Sequence, residues 1–226
     1  SVGLDVTTHE TGNQVLREET PVRLLGALVG PIHAAQHLQG KPGAAVVGSR
    51  FPSVIQAVQS ALADPLFRVY GNSDLTGVEV GGAVAGVLEV ALGLADGLDL
   101  GASVRGTLFA RGVAELERIG GAFGATPGTL TGMSGLGYLA AATAPPVGIP
   151  FRVGRALAEG RSLAEVLAQF PEDGRELVTA CETVRARTRG ARVEAHITGA
   201  IASVLVDAEA PADAVRRLLS LGQMME

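Results

Sequence analysis

Gly77-Val78-Glu79-Val80-Gly81-Gly82-Ala83-Val84-Ala85-Gly86-Val87 opens a run whose apolar residues keep helical spacing as far as Leu98. That spacing predicts a helix over 78–98, and the chain differs in kind on either side of Asp74. Before it, runs of strand composition at 22–29, 44–47 and 67–70 alternate with helical segments at 31–39 and 52–63. Each of those helices carries Pro in its first turn, where a missing N–H leaves no bond unmade. After Asp74 the strand signal fades, and 101–120, 154–160, 162–168, 174–188, 194–208 and 212–221 all carry apolar residues at helical spacing. The expectation is an α+β chain, with an α/β part over 1–73 and an all-α part over 74–226.

End signals agree with that division. Ser162-Leu163-Ala164-Glu165 fits a capping box, in which the serine oxygen accepts from the glutamate N–H and the glutamate side chain reaches back. Pro211, with Asp213 two residues on, opens the last helix with a rigid first turn and an early acid. Glycines at 120, 121, 124, 128, 132, 135 and 137, with Pro127, mark a loop-rich middle.

Composition narrows the partners. The 226 residues are 47% hydrophobic with a formal net charge of −5, enough for one large core or two smaller ones. Basic residues are scattered rather than grouped, which argues against nucleic acid. The lone Cys181 excludes an intrachain disulfide and fits a reducing, cytoplasmic setting. The most apolar stretch, 80–94, is interrupted by Glu89 and bordered by Asp96 and Asp99, which reads as too short and too charged for a membrane span. No signal-peptide pattern precedes it. The chain opens at Ser1 instead of methionine, which suggests a processed or truncated start.

The quoted stretch, together with residues 88–115, resembles the NAD-dependent glycerol-3-phosphate dehydrogenases, whose pattern reads G-V-E-x-G-G-A-x-K-N and then G-x-N-x-[RK]-A. The likeness extends over almost the whole chain. Leu28-Val29-Gly30-Pro31-Ile32-His33-Ala34 is similar to the family's L-S-G-P-[ST]-x-A, and Asp64 to Tyr70 is similar to the segment leading into its helical domain. Arg111-Gly112 with Glu115, Ala125 to Thr129, and Gly135-Leu136-Gly137 are similar to R-G-x-x-E, A-x-P-x-T and G-L-G-D-L. The resemblance implies an incomplete Rossmann-like α/β part followed by an all-α, 6-phosphogluconate-dehydrogenase-like domain, and NAD as the family's cofactor. It also implies homodimerisation.

The resemblance stops at the reacting groups. Family members are expected to use two lysines, an aspartate and an Arg-Asn pair to polarise a ketone and hold a phosphate. Here the first lysine is Val2 or Asp5, depending on whether the alignment is anchored at Gly3-Leu4-Asp5 or at Glu10-Thr11-Gly12. The second lysine and its asparagine are Ala85 and Gly86, the asparagine of the next motif is Ser103, and the aspartate is Tyr138. An ungapped register puts Ile149 and Pro150 at the Arg-Asn pair. The sole lysine, Lys41, stands at neither lysine position.

The strand, G-x-G-x-x-[GA] turn and helix that hold a pyrophosphate are also absent from these residues, so this chain alone is expected to bind no NAD well. Arg105 and Arg111 match basic positions of the family and are candidates, with Tyr138, for the substrate cleft. A solvated helix face or an internal ion pair is the plainer reading of both arginines. Glu79 and Gly81-Gly82 read as helix packing. His33 and His37 share a face at helical spacing without further ligands, and no metal site is expected. Cys181 reads as an inert buried thiol. Ser134 lacks the second glycine of a nucleophile elbow.

Three readings remain open. The chain is a non-catalytic relative acting as a binding or interaction module. Alternatively, it is an active dehydrogenase whose nucleotide-binding half lies elsewhere, with Tyr138 as replacement acid. The third reading is a small-ligand sensor using a cleft of Ala85, Tyr138, Ile149 and Pro150. A half sheet would expose strand edges, so self-association or a partner subunit is expected through residues 1–70.

Overall fold

The computed structural model describes residues 4, 5, 7, 8 and 10–220. The molecule is built around one helix. Helix α4, Leu75–Gly97, is apolar on all sides, and every residue from Gly77 to Ala95 is buried. A helix without a polar face is stable only when other elements surround it. Asp74 starts it: Oδ1 accepts the Gly77 N–H at 2.9 Å, and Oδ2 accepts the Thr126 N–H at 2.7 Å. The sequence reading of 80–94 underestimates this element, because α4 has the length and apolarity to cross a membrane, yet that apolar stretch is wholly inside the protein.

The N-terminal part supplies helix α1 (Gly12–Glu19), strand β1 (Ala27–Val29), the short helix α2 (Ala34–His37), strand β2 (Gly43–Gly48), helix α3 (Pro52–Ala61) and strand β3 (Phe67–Asn72). The sheet order is β1-β2-β3, with β1 antiparallel and β3 parallel to β2. The expected strand over 22–29 shrinks to three residues. Its partner ends at Gly48, paired with Ala27, so nothing remains for 22–26 to bond in a ladder. The helix expected over 31–39 likewise contracts to Ala34–His37. Helix α1 is additional to the expected elements; Gln14 Oε1 accepts the Thr11 N–H at 2.8 Å at its start.

Around α4 stand α5 (Gly101–Ala122), a π turn (Met133–Gly137), α6 (Tyr138–Ala141), α7 (Ile149–Ala158), α8 (Leu163–Gln169), α9 (Pro171–Ala191), α10 (His196–Leu205) and α11 (Pro211–Ser220). The result is α+β, mostly helical with one small sheet. The large core is helical, whereas the sheet contributes a cluster of Val29 and Val46 on Val78 of α4. Helix α7 begins five residues before the expected 154. Its contact with α4 is backbone on backbone: a Cβ on Gly93 would stand 2.0 Å from the Phe151 carbonyl, and one on Gly154 would stand 2.2 Å from that of Val90. The Ser162–Glu165 capping box is formed, with Ser162 N–H to Glu165 Oε2 at 2.9 Å.

Candidate functional site

Tyr138, Ile149 and Pro150 meet, although a loop separates the first two in sequence, because α6 and the start of α7 both pack on α4. They line a cavity of about 230 Å³ with Gly30, Pro31, His33, Glu89 and Asp173. An adjoining pocket of about 110 Å³ shares Tyr138, Pro150 and Asp173 and adds Gly86, Glu176 and Leu177. One cleft therefore runs between the β1–α2 connection and helices α4, α6, α7 and α9.

Glu89 is the charged group at its base. It is 2% exposed on α4, and its carboxylate faces the first residues of α7. Burial pushes its pKa from the ordinary 4.5 up to about 7, opposed by the backbone N–H groups of Phe151 and Gly148. A helix N-terminus has unpaired N–H groups and the positive end of the dipole, so Glu89 occupies the anion-attracting end of α7. Its Oε1 nevertheless has no hydrogen-bond partner of good geometry. Sequence reasoning treats Glu89 only as an interruption of an apolar run. A usable signal is its place as the lone acid in 80–94, one helical turn after Ala85.

Tyr138 is pushed up to about 12, first by burial and then by the negative charges of Glu89, Glu176 and Asp173. Its phenol is accordingly a protonated hydrogen-bond donor, and His33 is the one base among the described residues that line its cleft.

The other named positions lie elsewhere. Ala85 is fully buried in the helical core, so it does not line the expected cleft with Tyr138; Ala83 and Gly86 do. Arg105 pairs with Asp96 and lines a different cavity with Phe109 and Arg155. Arg111 and Ser103 line a third with His196 and Leu218. The structure thus separates both arginines from Tyr138. Asp5 accepts the N–H groups of Thr7 and Thr8 in its own loop, while Val2 lies outside the described residues. Of the two histidines, His33 reaches the cleft, and His37 packs on Phe67 with ring centroids 5.2 Å apart. Cys181 is buried, and burial pushes its thiol up to about 12.

Residues of the shared motif serve the scaffold. Glu79 accepts the Asn13 N–H at 3.0 Å and also its side-chain amide, tying α1 to α4. Glu115 accepts the N–H groups of Ile197 and Thr198, at 2.9 and 2.7 Å, at the start of α10.

A family model described as the NAD-dependent glycerol-3-phosphate dehydrogenase C-terminus matches residues 74–216. The chain belongs to the NAD-dependent glycerol-3-phosphate dehydrogenase family. It is 39% identical over 217 residues to the glycerol-3-phosphate dehydrogenase (NAD(P)+) of Methylibium petroleiphilum, covering 96% of this chain and 65% of that one. It is 40% identical to the enzyme of Leptothrix cholodnii, with 96% and 64% covered. The crystal structure of glycerol-3-phosphate dehydrogenase from Coxiella burnetii superposes with a TM-score of 0.89 at 30% identity, over 96% of this chain and 66% of that one. The chain thus spans about two thirds of the length of these family members. Within that family fold, Glu89 and Tyr138 share a cleft, and Arg105 and Arg111 line other cavities.

Proposed function

We propose that this chain keeps the fold of the family's C-terminal part without the dehydrogenase reaction, and serves as a binding or interaction module. One observation carries the reading: the start of α7, where the family resemblance places an Arg-Asn pair, holds Ile149 and Pro150 and is faced by the protein's own Glu89 carboxylate. A phosphorylated substrate would meet Glu89, Asp173 and Glu176 there, with His33 as the one base among the described lining residues. Asp173 and Glu176 repel it, joined by Glu89 as pH rises through its pKa of about 7, and more strongly as water is excluded.

The reading in which Tyr138 replaces the missing acid has less support. Reduction of a ketone needs a proton donor whose pKa suits neutral pH, or a cation beside it, and Tyr138 stands at about 12 among carboxylates. NAD enters only through the family, since the G-x-G-x-x-A string from Gly135 to Ala140 forms a π turn and α6 and follows no strand.

The test is calorimetric titration with NADH, alone and with dihydroxyacetone phosphate, alongside an assay of NADH oxidation. No heat of binding and no turnover from folded protein is the expected result. Turnover would overturn the reading.

A further inference from the structure

The cleft at Tyr138 has a chemistry suited to a different kind of ligand. Glu89 and Asp173 line the larger cavity, Asp173 and Glu176 line the adjoining one, and Tyr138 lines both. Glu89 lines the cavity at 2% exposure, and its buried Oε1 has no hydrogen-bond partner of good geometry, so its bonding capacity is not fully used by the protein. Ala141, Ala142, Ile149 and Pro150 line the rest with apolar surface. Carboxylates beside an aromatic ring favour an organic cation: the N–H groups make charge-assisted bonds and the ring face attracts positive charge. The cavity, about 230 Å³, has room for a short carbon chain.

We propose that this cleft binds a small ammonium compound, its charged group on Glu89 and Asp173 and its carbon atoms against Ile149 and Pro150. The proposal rests on the non-catalytic reading, in which the cleft has given up the family's anionic substrate. It adds the ligand class that replaces it. The surroundings of Tyr138 support the same choice, because the negative charges of Glu89, Glu176 and Asp173 all act on its phenol.

The experiment titrates the whole chain, at low salt, with ethanolamine, choline and 1,4-diaminobutane, and with ethylene glycol and 1,4-butanediol as neutral counterparts. At least one ammonium probe is expected to bind about ten-fold or more tightly than its neutral counterpart. Glu89→Gln is expected to remove most of that preference. Because Glu89 is buried, Asp173→Asn, an exposed position, serves as a second variant that keeps the core intact and should weaken the ammonium probe several-fold. The proposal is overturned if no ammonium probe outbinds its neutral counterpart on folded wild-type protein. It also fails if both variants bind the ammonium probes as wild type does. NADH oxidation with dihydroxyacetone phosphate is measured on the same sample. Turnover there would sink the non-catalytic reading, whereas absent turnover with no ammonium preference would sink this proposal alone.

Discussion

Gly148 lies so close to Glu89 that a Cβ placed on it would stand 2.3 Å from Oε1. The glycine before α7 thus makes room for a carboxylate coming from α4, and the two positions are sterically coupled. Gly148→Ala should destabilise the chain by about 1–3 kcal/mol, the usual range for overpacking. Combined with Glu89→Ala, it should cost less than the sum of the two single changes. Urea denaturation of the four proteins measures the coupling; strict additivity would refute the contact.

Glu89 also sets a pH dependence. Its folded pKa of about 7 exceeds the ordinary 4.5, so between those values the folded chain retains a proton that the unfolded chain releases. The stability it contributes is fully present below pH 4.5 and is lost as pH rises through about 7. The loss amounts to about 3 kcal/mol. The difference in unfolding free energy between wild type and Glu89→Gln should therefore change by that order across the window. A difference that stays flat with pH would show that the carboxyl is not perturbed.

The α4–α7 crossing tolerates no side chain at its centre. Both Gly93 and Gly154 face backbone carbonyls of the other helix, which cannot swing aside as a side-chain tip can. Gly154→Ala should cost about 3 kcal/mol or more, at the upper end for overpacked sites. Thermal unfolding by circular dichroism reads this directly, and a Tm unchanged from wild type would contradict it.

Glu115 holds the start of α10 from 82 residues away, through the Ile197 N–H. Removing the carboxylate leaves buried N–H groups at a positive helix end without an acceptor, which costs about 2–3 kcal/mol. Glu115→Ala should lower hydrogen-exchange protection at Ile197 and Thr198 more than at the core of α4. Equal protection in both proteins would assign the helix start to another partner.

Residues 1–70 should mediate self-association or take a partner subunit. Leu24 is 61% exposed and Leu38 88% exposed, and β1 and β3 are both edges of the described sheet. Light scattering should report a particle larger than one chain, and Leu24→Asp should shift it toward the monomer. A monomer at high protein concentration would contradict this prediction.

Much of the helical part is legible in the sequence because its signals are local or periodic. The long apolar run announces α4, Ser162 and Glu165 announce α8, and Pro211 announces α11. The early start of α7 at Ile149 is not legible, since the apolar spacing suggests a helix only from 154, whereas the added turn forms where α7 packs on α4. The strand over 22–29 fails for the complementary reason. Its composition suits a sheet, but a strand needs a partner, and β2 ends at Gly48.

The sequence by itself determined the helix-rich core, the shift in architecture near Asp74 and the family likeness, because residue type and spacing carry all of these. Only the tertiary structure decided which groups share a cleft. Arg105 and Arg111 went to other cavities, Ala85 went into the core, and Glu89 came to line one cavity with Tyr138 and the start of α7. The physical reason is that a side chain's surroundings depend on how helices cross. Here the crossing of α4 and α7 is set by glycines whose effect appears only when two backbones are brought into contact.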